Sequence, residues 1–212
     1  DLGDKPRQAA TCRRLKKTKQ DRRSDMTMDI ISRRGILGVF AATSVAATPV
    51  MANAFGFLRG NAGDMRRVKM YNGRTGESID TVYWVDGKYI REALNEINVF
   101  MRDWRTGTVI GIDPRTIDIA AASHRLLQTN EPYMMLSGYR SPKTNAMLRS
   151  RSSGVARNSL HMKGKAADLR LKSRSVAQMY KAASSCQAGG VGKYSSSNFV
   201  HMDCGPVRHW GG

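Results

Sequence analysis

The chain has 212 residues, a length that suits one globular unit with extended ends and argues against two domains with separate cores. Its 35 Lys and Arg against 17 Asp and Glu give a net charge of +18, which points first to an anionic partner such as nucleic acid, a membrane surface or an acidic polymer. The charge is uneven. Residues 1–27 carry nine basic and four acidic side chains, and residues 55–212 keep a net +12, so the expected folded part is itself basic.

Residues 1–27 are polar and lack hydrophobic periodicity. They read as a disordered basic extension, or as sequence upstream of the true start, because Met28 opens a more typical leader; the alternative is a basic arm for nucleic acid or lipid headgroups. In residues 28–54, Arg33 and Arg34 precede a weakly apolar stretch rich in Ala and Thr, followed by small residues at Ala52 and Ala54. This is the layout of a secretory signal, and Ser32-Arg33-Arg34 followed by Ile36 and Leu37 resembles the twin-arginine export signal. A membrane anchor is the competing reading, but Gly35 to Val50 is about 16 residues and is interrupted by Pro49, against roughly 20 for a spanning helix. Cleavage after Ala54 predicts a soluble periplasmic protein starting at Phe55, with no stable membrane insertion.

Export places Cys186 and Cys204 in an oxidising compartment, while Cys12 leaves with the leader. The pair reads either as one disulfide, worth about 3 kcal/mol in the chain-entropy model, or as two small buried apolar residues.

Residues 55–80 are expected to form a flexible stretch to about Asp64 and a first strand, with a catalytic domain over 81–212. MRRVKMYN and SIDTVYWV predict a hairpin around the turn at Gly73 to Gly76. Ile90, Ala93, Leu94, Ile97, Phe100, Met101 and Trp104 recur at helical spacing, a core stripe ended at Gly107. Asp113-Pro114 is an N-cap and first-turn pair for a second helix running to Asn130. His124 lies on its apolar face and reads as a satisfied core histidine rather than a ligand. Tyr133 to Leu136 predicts a short strand, Pro142 to about Arg149 a third helix, and 150–158 a loop. Ala166 to Leu171 predicts a strand, Val176 to Ala183 a short helix, and Asn198 to Asp203 a last strand after a glycine-rich turn at Gly189, Gly190 and Gly192. The order predicts an α+β domain with helices packed on a small, mainly antiparallel sheet.

One cluster carries chemistry. In SLHMKGKAADLRL, His161 precedes Asp168 by seven residues; Gly164 permits a tight turn, and the two alanines leave room for the side chains to converge on one ion. FVHMDCG offers a third ligand, with His201 and Asp203 at i and i+2 on one strand face. Two imidazoles and a carboxylate leave a zinc ion one position open for a water nucleophile. Asp203 is the first candidate for the base that removes its proton, and His209 in the terminal PVRHW is the second. A buried charge-paired cluster would show the same spacing.

Together with SGYRSPKTNAML and FVHMDCGPVRHW, this segment resembles the zinc D-alanyl-D-alanine carboxypeptidase and murein endopeptidase family, nearest its murein endopeptidase K-type branch, over roughly Val82 to Trp210. The resemblance implies a hedgehog/carboxypeptidase-like zinc peptidase fold and one zinc per chain. His161 and Asp168 match the family's H-x-x-G-x-A-x-D ligands, and His201 matches best the ligand near the chain end. Many relatives carry H-x-H there, whereas this chain has His201-Met202-Asp203, so the alternative of Asp203 as ligand and His201 as base stays open. Ser137 to Ser141 matches the family's S-G-Y-R-S element, which makes Arg140 the candidate for stabilising oxyanion charge; a surface arginine beside a turn is its bland reading. Tyr139, Ser159 and Asn145 are weaker candidates for substrate contacts.

The expected function is hydrolysis of murein cross-links between D-alanine and a diamino acid or between two diamino acids, by a monomer acting on peptidoglycan stem peptides. The alternatives are a D-Ala-D-Ala carboxypeptidase and a zinc-stabilised murein-binding module without turnover. Nucleic-acid binding is prompted by charge alone and conflicts with export.

Overall fold

The computed structural model describes residues 64–211. The basic extension, the leader and its cleavage point lie outside the described residues. Strand β1 (Met65–Tyr71) and strand β2 (Ser78–Val85) form the expected antiparallel hairpin, paired from Met65 opposite Val85 to Tyr71 opposite Ser78 with a one-residue register shift between Arg66 and Arg67. Its turn is closed by Asn72, whose backbone N–H donates to Glu77 O (2.8 Å) and whose side chain accepts from Arg74 N (2.9 Å). The expected domain boundary at 80/81 falls inside β2, and β1 also pairs with β4, so the hairpin is integral to the sheet. Alternation turns Arg66, Val68 and Met70 inward. Buried Arg66 is tolerated because Asp118 accepts its guanidinium at 2.7 Å, and the Tyr83 and Tyr89 hydroxyls donate to the same carboxylate.

After the two-residue strand β3 (Lys88–Tyr89), helix α1 (Arg91–Phe100) buries Ala93, Ile97 and Phe100. It stops earlier than the apolar stripe predicts. Asp103 draws the chain into a turn by accepting from Arg105 N (3.1 Å) and Ser141 N (2.9 Å), so Trp104 leaves the helical face. Helix α2 (Pro114–Leu126) begins as expected, with Asp113 accepting from Arg115 N, and ends before Asn130, where Gln128 takes a φ of 48°. His124 is satisfied, as expected: Nε2 meets Glu131 O at 2.7 Å and the ring packs edge-on to Tyr133.

Strand β4 (Tyr133–Ser137), helix α3 (Pro142–Arg151), a 3-10 turn (Leu160–Lys163), strand β5 (Ala166–Arg170) and helix α4 (Val176–Ser185) follow. Strands β6 (Gly190–Tyr194), β7 (Phe199–Asp203) and β8 (Arg208–Trp210) close the chain. Among the described residues the sheet has eight strands in the order β3-β2-β1-β4-β5-β7-β6-β8. It is mixed, because β1 runs parallel to β4 and β6 parallel to β8. The sheet is larger than the sequence predicts, since β3, β6 and β8 were not foreseen as strands.

Glycines explain the surprise at β6. A Cβ on Gly190 would lie 2.4 Å from the Arg208 guanidinium, and one on Gly192 would lie 2.5 Å from the Trp210 ring. These positions are a strand whose missing side chains make room for β8, not a turn. Helices α2 and α4 pack on each other and on β7. Ala167, Leu169, Val200, Met202 and Val191 join that core, which leaves Asp168 and His201 on the opposite face.

Candidate metal centre and active site

His161 sits in the 3-10 turn, whose Ser159 cap accepts from His161 N (3.3 Å) and whose end is Gly164 at φ 64°. A Cβ on Gly164 would meet Gly111 O at 2.5 Å, so both conformation and space require glycine there. The His161 carbonyl accepts from Arg140 N (3.2 Å), and its Nδ1 lies 2.7 Å from the Gly138 carbonyl. Because a carbonyl only accepts, Nδ1 carries the proton and the Nε2 lone pair is free. Gly138 reaches this position by close approach to α1: its Cβ would lie 2.5 Å from Met101 O.

Asp168 on β5 and His201 on β7 are register partners across the antiparallel pair. Asp203 Oδ2 accepts from His201 Nε2 at 2.9 Å, which leaves Nδ1 as the lone pair that the neutral ring would turn to a cation. His161 Nε2, His201 Nδ1 and Asp168 Oδ1 converge at 3.2, 3.2 and 2.9 Å from one another. Three acceptors face a common point and all three residues are buried. Such a cluster calls for a cation. A tetrahedral zinc with bonds of about 2.0–2.1 Å spaces its ligands roughly 3.3 Å apart, so the donor set fits that ion in kind and spacing.

The electrostatics separate the two histidines, and a metal would displace the proton on His201 Nδ1. Burial opposes ionisation of Asp168, but His161, His201 and Arg140 outweigh it and hold the carboxyl well below its usual range. Burial depresses His161, with Asp168 only partly compensating. His201 resists the same burial through hydrogen bonds with Asp168 and Asp203 and, without an ion, is pushed up to about 9.

Arg140 donates from Nε to Ser137 Oγ (2.8 Å) and from a terminal nitrogen to Asp168 Oδ2, so it holds the Asp168 carboxylate while lining the cavity. That cavity, of about 310 Å³, is walled on one side by residues 152–161 and on the other by Tyr194, Arg208 and Trp210. Ser159 lines it as expected. Tyr139 and Asn145 do not: Tyr139 is buried with its N–H on Met101 O, and Asn145 donates to the carbonyls of Ala156 and Arg157, bracing the cavity loop from behind.

Both candidate bases lie off the cavity. Asp203 is fully buried behind His201, its oxygens occupied by His201, both terminal nitrogens of Arg208 (3.0 and 2.7 Å) and the N–H groups of Gly190 and Gly205. Its carboxylate meets the His201 ring from behind and does not line the cavity. Alternation on β8 sends Arg208 and Trp210 to the site and His209 to the other face, exposed against Tyr180. The two cysteines are unbridged. Cys186 donates to Ala182 O within its own helix end, while Cys204 accepts from Thr116 Oγ1 (3.4 Å). Burial pushes the Cys186 thiol up to about 12, which suits the apolar reading of this pair.

Sequence reasoning missed Arg208, Trp210 and Tyr194. The signal was present in the alternate positions of PVRHW and in the paired glycines of β6, which together describe two neighbouring strands, the side chains of one filling the space left by the glycines of the other. Trp210 packs its ring 5.3 Å from that of His201 and donates to Tyr194 Oη at 3.1 Å.

Residues 60–210 match the family Peptidase_M15_2, described as peptidoglycan L,D-endopeptidase MepK. The chain belongs to this family. It is 40% identical over 173 residues to the peptidoglycan L,D-endopeptidase MepK of Escherichia coli, covering 82% of this chain and 92% of that protein. It is 39% identical over 142 residues to the "Probable peptidoglycan L,D-endopeptidase MepK" of Haemophilus influenzae, covering 66% and 76% of the two chains. Membership supports a murein peptidase and agrees with the resemblance carried by the His161, Asp168 and His201 motifs.

Proposed function

We propose that this protein is a zinc-dependent murein endopeptidase whose zinc is held by His161 Nε2, Asp168 Oδ1 and His201 Nδ1, on a zinc D-Ala-D-Ala peptidase fold. The observation that carries the reading is the convergence of three metal-type donors on one wall of a cavity, with the far nitrogen of each imidazole already engaged. When bound, the ion would supply Lewis-acid polarisation of the scissile carbonyl and a water acidic enough to attack near neutral pH. The chain's own residues fix the geometry. Gly138 O and Asp203 set the tautomers of the two histidines, and Arg140 both restrains Asp168 and offers positive charge beside the reacting carbonyl.

The L,D designation of the relatives selects, between the two cross-links considered, the bond from diamino acid to diamino acid. Murein lies outside the cytoplasmic membrane, which agrees with export by the signal over 28–54, cleavage after Ala54 and a periplasmic location. No helix among the described residues is long and apolar enough to cross a membrane.

Digestion of purified murein by the zinc-loaded protein, with and without chelator and zinc re-addition and beside His161→Ala, tests the proposal. Cross-linked dimers are expected to become monomers only with metal and His161 intact. Release of D-alanine alone would instead indicate a carboxypeptidase. Bound zinc without product would indicate a binding module, the reading favoured by one observation: among the described residues, Asp168 is the only carboxylate lining the cavity.

A further inference from the structure

Arg140 and Arg208, the two cations on the catalytic cavity, are each committed to a carboxylate of the chain itself, Asp168 and Asp203. A second cavity of about 510 Å³ adjoins the first and shares Ser197 and Phe199 with it. Its walls carry Arg74 from the β1–β2 turn, Arg105 from the turn after α1 and Arg170 from the end of β5. No carboxylate among the described residues forms an ion pair with any of these three. Arg170 Nε meets the Met134 thioether, a weak acceptor.

Two of the cations are preorganised. The guanidinium groups of Arg105 and Arg74 lie 4.2 and 5.8 Å from the centroid of one ring, Trp104, which holds like charges near each other against their repulsion. Partial desolvation, together with the nearby charges of Arg74, Arg140 and Arg151, pulls Arg105 below its ordinary value despite Asp103. Unpaired, aromatic-mounted guanidinium groups in a concavity form a receptor for carboxylates. A cross-link joins two acidic stem peptides, and the cavity at the metal centre offers no uncommitted arginine for the second.

The geometry points to the groove of Arg74, Arg105 and Arg170 as a subsite for the carboxylates of an acidic peptide, the stem on the far side of the scissile cross-link. This assignment rests on the endopeptidase reading for the identity of the peptide. It would make the enzyme select cross-linked, carboxylate-bearing wall over short neutral peptides.

The test titrates the zinc-loaded full chain against insoluble murein on ice, so that binding is read before turnover dissolves the wall. Native murein is compared with murein whose free carboxyls have been converted to amides. Arg74→Gln/Arg105→Gln is expected to bind native murein about tenfold more weakly than the parent, as loss of charge-assisted contacts implies, and to match it on amidated murein. Arg170→Gln should shift binding in the same direction. A Lys88→Gln/Lys181→Gln control removes the same charge from exposed positions on β3 and α4 and should bind like the parent. Unchanged binding in the double variant, an equal loss in the control, or equal parent binding to native and amidated murein would each overturn the subsite. Failure of the parent to cleave murein at working temperature would sink the hydrolytic reading and leave this binding result standing.

Discussion

At the residue scale, the decisive pair is His201 and Asp203. Their i, i+2 spacing puts both on one strand face, but their roles differ because one faces a cavity and the other is enclosed by Arg208 and two backbone N–H groups. A carboxylate behind a ligand histidine orients the ring and raises its basicity. Asp203→Asn is therefore expected to weaken zinc binding about 10–100-fold while leaving a measurable site, whereas His201→Ala should abolish stoichiometric zinc. Competition with a chromogenic chelator measures both; zinc affinity unaltered in Asp203→Asn would refute the positioning role. The ligand types of His161, Asp168 and His201 were legible in the sequence, because metal-binding side chains are chemically distinctive. The tautomer-fixing carbonyl of Gly138 was not, since any residue has a carbonyl and its place depends on a backbone approach to Met101.

At the element scale, the long helices and the first hairpin announce themselves through periodicity and caps. Asp113 accepts the expected N-terminal bond of its helix, and the structure adds Ser141 and Ser175 as caps of theirs. Strand β6 does not announce itself, because glycines at alternate positions have no side chains to mark a face and read as a turn; they make room for the side chains of Arg208 and Trp210. Gly192→Ala is expected to destabilise the protein by about 1–3 kcal/mol through overpacking. It should also shift the Trp210 fluorescence, because the new methyl occupies the space of the indole. A melting temperature and emission spectrum equal to those of the parent would show that the Trp210 ring does not lie over Gly192. The early end of α1 has a comparable cause: a single side chain, Asp103, gathers the N–H groups of the turn and of the Arg140-bearing corner.

At the scale of the whole molecule, that same carboxylate ties α1 to the corner between β4 and α3. Burial opposes its charge, but hydrogen bonds from Thr144, Ser141 and Arg105 outweigh burial and lower Asp103 to about 2, against an ordinary 3.8. The folded value is depressed, so its contribution is fully present above pH 3.8 and is lost as pH falls toward 2. Urea midpoints between pH 5 and 2 should fall more steeply in the parent than in Asp103→Asn; parallel profiles would remove Asp103 from the acid limb.

The sequence by itself determined the α+β class, the metal-type donors, the helix starts and the family pattern, because each is written in local residue chemistry or short spacing. Only the tertiary structure decided that β5 pairs with β7 so that Asp168 faces His201, that Asp203 lies behind the site and His209 points away from it, and that the cysteines stay apart. These outcomes depend on strand register and sheet order. Shifting the pairing by one residue would turn every side chain of a strand to the other face, and no local signal specifies which register the packed core selects.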